Sequence, residues 1–543
     1  MAAQLADRDE EPALTMLPGH DGTLAAIHPS VLNHQAEPMH SEANDPARLL
    51  TLDAVDQLQA EDPDVVHEAP PVLGRAMGKG LAWSLLNNVV GRLGNFLTGI
   101  VIVRILSPEE YGTYAVGMVV LTVLLSMNEL GVSVAVVQRK GSVDDIAPTV
   151  VTLSFLSSFT LAALAFFAAP WVAHLLDAPE ATNLVRLLLV GVVIDGLVAV
   201  PNALITRAFA QRVRLNIDLI AFLIGTPITI ALALAGYGAW SLGWGAVAGN
   251  LVTGVLAVLW APARYRPGWS KPAVGELLAF GLPLAGASLL LFAMLNVDYI
   301  VVGHMLGSVE LGIYLLAFNL CSWPITVIST AIRRVSLSAF ARMHETGDTG
   351  GEGFQRTVAL VMALTLPMCV LLAGFAGPII EFLYGAKWHA AAGPLQYLAV
   401  LTAARIAVEL TYDYLAAIGR TRSSLWLHGI WLVALIPALV IGAQLRGIVG
   451  VGMGHAVVAV AVLLPMLAIL LHNAGVSLRR TVLTMGPVLI GSVLVAAMVF
   501  GFQLILHGVL LKLTVGVAAC LLVYAVAVWP MRHTAKAVWN TAG

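Results

Sequence analysis

The chain has 543 residues, 59% of them hydrophobic and 11% charged, with a formal net charge of −3 and a mean hydropathy of +0.86. Soluble domains carry roughly a quarter charged residues, so a soluble protein is excluded, and no basic patch invites nucleic acid. Runs of about 20 apolar residues, each long enough to cross a hydrocarbon core, recur almost end to end, which predicts a polytopic all-α membrane protein.

Charge is distributed unevenly along the chain. Residues 1–73 hold 14 Asp and Glu against Arg8 and Arg48, a balance of −12, and residues 74–543 carry +9. The first stretch lacks a basic segment followed by an apolar one, so it is no signal peptide. Its prolines and few aromatics predict a disordered, acidic cytoplasmic tail. Within it, "LLTLDAVDQLQ" (Leu49–Gln59) could form a short helix on a partner.

Apolar segments then follow at 80–103, 113–138, 148–172, 184–206, 216–236, 239–261, 276–303, 311–332, 357–384, 393–418, 424–443, 447–471, 482–505 and 508–530. That reading gives about 14 transmembrane helices. Short loops on one side carry most of the basic residues, from Arg75 and Lys79 through Arg139/Lys140, Arg207/Arg212/Arg214, Arg264/Arg266/Lys271, Arg333/Arg334/Arg342/Arg356, Arg420/Arg422 and Arg479/Arg480 to Arg532/Lys536. The other side holds Arg104, Lys387, Arg446 and Lys512. By the positive-inside rule both termini are cytoplasmic, which requires an even number of spans.

A repeat organises these segments. "RILSPEEYGTYA" (Arg104–Ala115) returns 200 residues later as "HMLGSVELGIYLLA", with Leu106 on Leu306, Glu110 on Glu310, Gly112 on Gly312 and Tyr114 on Tyr314. Six crossings separate the two copies, so both turns fall at the outer edge of parallel six-helix lobes. The expected organisation is a tail (1–73), an N-terminal lobe (74–262), a C-terminal lobe (263–475), and two additional helices with a cytoplasmic C-terminus (476–543).

Polar groups at bilayer depth are functional candidates, because lipid does not tolerate them. In the first span Ser84, Asn88, Arg92 and Asn95 share one helical face, which must look inward. Arg92 has no acid on its own helix, and its planar donors suit a phosphate; pairing with an acid on another helix is the structural alternative. Asp298, Glu129 and Asp195 are candidate charge partners or ion-coupling sites. Arg405, Glu409 and Asp413 form one face of the tenth span, where Arg405 and Glu409 can also neutralise each other. Arg186, near a helix end, reads as a structural side chain reaching toward the interface. Cys321, Cys369 and Cys520 lie in apolar runs with no paired spacing and read as small core residues. No catalytic motif, metal constellation, cofactor motif or nucleotide-binding loop is present, so neither an enzyme nor an ATP-driven pump is expected.

The stretch "GKGLAWSLLNNVVGRLGNFLTGIVIVRILSPEEYGTYAVG" (Gly78–Gly117) resembles the opening of the Wzx-type polysaccharide flippases, a branch of the multidrug/oligosaccharidyl-lipid/polysaccharide exporter superfamily. The carrying positions are Arg104, Leu106, Pro108, Tyr111 and Gly112, and "NELGVSVAVVQRKG" (Asn128–Gly141) is similar to the family's second-helix ending. The resemblance implies two lobes around a central cavity that opens alternately to each side. The implied substrate is an oligosaccharide on undecaprenyl pyrophosphate, moved across the bacterial inner membrane for surface polysaccharide assembly. It implies as partners the lipid-linked oligosaccharide, membrane lipids and a polysaccharide polymerase or export machinery. Two alternatives from the same superfamily stay open: a cation-coupled multidrug antiporter and a peptidoglycan-precursor (lipid II) flippase.

Overall fold

The computed structural model describes residues 15–18, 24–27, 91, 93–128, 132–139, 142–323, 351–420 and 422–532. The stretch 49–59 and the candidates Ser84, Asn88, Arg92 and Glu129 lie outside the described residues. The chain forms two compact units, 1–75 and 76–543. In the first, β1 (Thr15–Pro18) and β2 (Leu24–Ile27) pair antiparallel, with Thr15 opposite Ile27 and Pro18 opposite Leu24. No strand is expected there from the tail's composition; "TMLP" and "LAAI" are uncharged islands in an acidic segment.

The described part of the second unit is helical. Its elements are α1 (Leu93–Ile105), α2 (Pro108–Asn128), α3 (Val132–Gln138), α4 (Ala147–Leu175), α5 (Thr182–Arg207), α6 (Gln211–Leu234), α7 (Ala239–Trp260), α8 (Lys271–Leu306) and α9 (Ser308–Trp323). Then come α10 (Glu352–Gly374), α11 (Ala376–Tyr384), α12 (Ala392–Ala417), α13 (Arg422–Val458), α14 (Leu464–Asn473), α15 (Leu478–Thr484), α16 (Gly486–Ile505), α17 (Val509–Leu511) and α18 (Val517–Val528). Among the described residues ten helical stretches are long and apolar enough to cross a membrane, while α1 and α9 are shorter apolar helices. The chain is a multi-pass membrane protein.

Local chemistry shifts several expected boundaries. The second apolar segment starts at Pro108 rather than 113, because Ser107 and Glu110 form a capping box. The Ser107 amide donates to Glu110 Oε2 at 2.8 Å and the Glu110 amide to Ser107 Oγ at 3.2 Å, satisfying two otherwise orphaned donors. Proline at the first helical position has no donor to lose. The same segment ends at Asn128 and resumes as the separate α3. The ninth segment breaks at Phe375 into α10 and α11. Segments eleven and twelve share α13, which is broken where Arg446 leaves helical geometry and Gly447 takes φ +56°.

Large apolar side chains face outward all round: Phe167, Trp171, Leu223, Val433, Leu445 and Phe500 are all strongly exposed. In water such a surface would aggregate; against hydrocarbon it is the expected outer face. Without a hydrophobic drive between helices, close packing relies on small residues. At the α13 break, a Cβ on Gly442 would lie 2.1 Å from the Gly450 carbonyl oxygen, so the two arms of the hairpin touch backbone to backbone. Helices α4 to α7 pack mainly among themselves, as do α10, α12 and α13, while α8 joins the two sets through α2 and α13.

Candidate functional site

A cavity of about 890 Å³ is walled by α1, α2, α6 and α7 on one side and by α8 and α9 on the other. Its size is within the usual range for ligand pockets. The wall is rich in amides and hydroxyls: Asn95 and Thr98 on α1, Tyr111 and Tyr114 on α2, Asn250 on α7, Asn296 and Tyr299 on α8, and Asn319 on α9. Each amide offers two donors and an acceptor, a combination that suits a ligand rich in hydroxyls. Among the described lining residues Asp218 is the one charged group, and Arg214 Nε lies 3.5 Å from its carboxylate one turn earlier. Of the expected interior stripe, Asn95 is described and lines this cavity.

The two copies of the repeated signature meet at one edge of the cavity. Gly112 and Gly312 cross with no room for a side chain. A Cβ on Gly112 would lie 2.4 Å from the Ser308 carbonyl oxygen, and one on Gly312 would lie 2.7 Å from Gly112 Cα. Around this crossing the hydrogen bonds are reciprocal. Arg104 Nε donates to the Leu383 carbonyl at 2.7 Å and its Nη2 to the Phe382 carbonyl, near the end of α11. Lys387 Nζ returns a bond to the Arg104 carbonyl at 2.9 Å, and the buried Trp388 donates Nε1 to the Val103 carbonyl at 3.0 Å. The Trp388 ring stands edge-on to Tyr111, centroids 5.6 Å apart. The second copy acts alike: His304, 200 positions after Arg104, donates Nδ1 to the Leu175 carbonyl at 3.0 Å, at the end of α4. Both copies therefore cap the orphan carbonyls at a helix C-terminus.

The opposite edge is tied differently. Arg139 reaches Asp145 at 2.6 Å and Glu276 at 3.1 Å, but the two acidic partners are exposed. Exposed pairs contribute only about 0–1 kcal/mol each and weaken with salt. Beside them the Ser142 and Tyr265 hydroxyls donate to Asp144 at 2.6 and 2.5 Å. These donors, Ser142 first, hold the Asp144 carboxyl below its ordinary range.

Behind the cavity wall sits a buried polar cluster. Asp298 is 1% exposed, and its Oδ2 accepts from Tyr314 Oη at 2.8 Å and lies 3.3 Å from His455 Nε2. Its Oδ1 accepts from the Tyr299 amide at 3.1 Å. His455 Nδ1 is buried without a hydrogen-bond partner among the described residues. Three helices thus converge on one carboxylate, and the adjoining Tyr299 lines the cavity. Arg405, half-buried on α12, is near enough to act electrostatically on Tyr299 and Cys321. Glu409 stands one turn further on, also half-buried.

Asp195 lies elsewhere. It lines a separate cavity of about 260 Å³ with Ser133, Asn202 and Arg214, among helices of residues 132–214. Arg186 is structural: it donates to the Phe166 carbonyl at 3.3 Å and to Asn183 at 3.2 Å, with its guanidinium 4.5 Å from the Phe166 ring centroid. Cys321, Cys369 and Cys520 are free and buried. Sequence reasoning passed over His455 and Tyr314 as partners of Asp298. A histidine inside the apolar run "GMGHAVV" was the available signal, since an ionisable group at that depth needs a partner.

Residues 101–393 match the family described as polysaccharide biosynthesis protein. The chain is 28% identical over 379 residues to the succinoglycan biosynthesis transport protein ExoT of Rhizobium meliloti, covering 69% of this chain and 76% of that one. It is 24% identical over 392 residues to the lipopolysaccharide biosynthesis protein WzxC of Escherichia coli, covering 70% and 78%. Among solved structures, the lipid II flippase MurJ in an inward closed conformation superposes with a TM-score of 0.66 at 14% identity, covering 84% of this chain and 99% of that one. An inward-facing multidrug resistance MATE transporter gives 0.55 at 18% identity, covering 72% and 99%. These two likenesses concern the fold alone. With more than half of its length matched, the chain belongs to the polysaccharide biosynthesis protein family.

Proposed function

We propose that this protein moves a lipid-linked oligosaccharide, carried on undecaprenyl pyrophosphate, across the bacterial inner membrane by alternating access. The observation that carries this reading is the cavity of about 890 Å³, walled by amides and hydroxyls. Sugars present hydroxyls in every direction, and such a wall exchanges their water for fixed partners. The pyrophosphate needs positive charge, and in this reading Arg92, which helical periodicity in the sequence groups with Ser84, Asn88 and Asn95, supplies it. The lipid tail stays in the bilayer. The excess of basic residues in alternate loops supports a cytoplasmic position for both termini. The edge bearing the repeated signature is then periplasmic, and two lobes rock about the Gly112–Gly312 crossing. The buried cluster of Asp298, Tyr314 and His455 is the candidate coupling element, one residue behind the cavity wall at Tyr299. A proton taken up there would change the charge of a site shared by three helices; Arg405 and Glu409, one turn apart on α12, are candidate partners in the same coupling. Glu129 and Asp195 are secondary candidates for charge pairing.

The test is flipping in vesicles reconstituted with the full chain and a fluorescent lipid-linked oligosaccharide. Wild-type protein should bring probe to the far leaflet faster than protein-free vesicles. Arg92→Ala should bind roughly ten- to a hundred-fold more weakly, the scale of one lost charge-assisted contact. Arg92→Lys should be intermediate, because it keeps the charge but not the fork. Wild-type flipping at the protein-free rate would overturn the function; unchanged flipping by Arg92→Ala would overturn the role of Arg92 alone.

A further inference from the structure

A second cleft, of about 800 Å³, opens between α16–α17 and the helices of residues 374–396. It shares the membrane edge of the signature crossing, since Leu383, two residues beyond its Glu381, accepts from Arg104. The cavity described above does not use it. Its floor is apolar, with Val499 and Phe500, and Phe500, Leu504 and Ile505 are 70%, 67% and 71% exposed on the adjoining surface. Its rim carries opposite charges, Lys512 on α16–α17's side and Glu381 on α11.

Lys512 is held in place by a relay. Gln503 donates Nε2 to the Gly374 carbonyl at 2.7 Å, which turns its Oε1 toward Lys512 Nζ at 2.9 Å. That acceptor is neutral, and Lys512 is half-buried at the lipid boundary. Lys512 also opens a π-helical turn, Lys512–Gly516. Such turns are rare and concentrate at functional sites. A lysine ammonium is a point charge suited to a phosphate. Glu381, exposed on the same rim, repels a wholly anionic headgroup and attracts an amine.

We propose that this cleft binds one zwitterionic aminophospholipid, with its phosphate on Lys512, its ammonium on Glu381 and its acyl chains along Val499 and Phe500. The lipid bridges the last two helices to α11 and α12. Native mass spectrometry tests this on the full chain, delipidated and then exposed to equal amounts of phosphatidylethanolamine and phosphatidylglycerol. Wild type should retain one phosphatidylethanolamine in preference to phosphatidylglycerol. Lys512→Gln should lose that adduct roughly ten-fold, the scale of one charge-assisted contact, and Lys512→Arg should keep it. Glu381→Gln should erase the preference between the two lipids. Equal retention by wild type and Lys512→Gln, or a wild-type preference for phosphatidylglycerol, would overturn the proposal. Size-exclusion profiles matching wild type, together with the Lys512→Arg result, separate a lost site from a lost fold.

Discussion

Replacing Gly112 by alanine should spring the crossing of the two signatures. The new Cβ would sit 2.4 Å from the Ser308 carbonyl oxygen and 2.8 Å from its carbon. Both are backbone atoms, so no side chain can turn aside, and α2 must move away from α9. Overpacking of this kind costs roughly 1–3 kcal/mol. The bonds from Arg104, Lys387, Trp388 and His304 remain and oppose the change, but they do not remove the clash. Taking ~2 kcal/mol, the ratio of sealed to unsealed molecules falls about 30-fold. The assay is labelling of Thr98→Cys, on the cavity wall, by a membrane-impermeant thiol reagent applied from the signature side. The native cysteines are all buried and give a low background. Labelling should rise by about an order of magnitude in Gly112→Ala and likewise in Gly312→Ala. Gly286→Ala is the control, because nothing lies within 4 Å of a Cβ built there. An unchanged labelling rate at normal membrane abundance would refute the reasoning.

Three further outcomes are expected. His455→Ala leaves the buried Asp298 with fewer partners, and breaking a buried pair costs about 3–5 kcal/mol, with the lower end expected because Tyr314 and the Tyr299 amide remain; thermal unfolding in detergent should show the loss, and Asp298→Asn added to it should recover part. Identical unfolding of His455→Ala and wild type would remove the pair from the account. Reporter fusions after Gly141, Arg266 and Arg480 should report cytoplasm and fusions after Pro108 and Lys387 periplasm; a periplasmic signal after Arg266 would break the even spacing between the repeats. Deleting residues 2–72 should leave export intact, measured as surface polysaccharide at matched membrane abundance, and lost export would give the acidic segment a partner or a gating role.

Much of this protein is legible in one dimension because the bilayer is a uniform solvent. A helix that crosses it must be apolar for a fixed length, so the described parts of the predicted apolar segments are largely helical, although ten described stretches rather than fourteen are long and apolar enough to span. The repeat was visible for a related reason. Leu106/Leu306, Glu110/Glu310, Gly112/Gly312 and Tyr114/Tyr314 answer the same packing demand in two places, and a demand met twice leaves two similar strings. The early start of α2 was also present in the sequence as Ser107, Pro108 and Glu110, a local capping pattern whose effect on the boundary the apolar run alone concealed.

What tertiary structure decided is who meets whom. Gly112 is close to Ser308 and Gly312, Arg104 bonds a carbonyl 279 residues away, and Asp298 shares its oxygens with Tyr314 and with a histidine 157 residues on. A sequence shows that Asp298 is costly in lipid but not which helix relieves the cost, because a buried charge selects a partner by distance and direction, which hydropathy does not carry. Asp195 makes the same point in reverse: equal in kind to Asp298 along the chain, it lines a small cavity among other helices. Composition and periodicity determine that helices form and where each enters the membrane, since those depend on local transfer energies. The neighbours that turn polar residues into a cavity wall, a seal or a buried cluster depend on how all the helices pack at once.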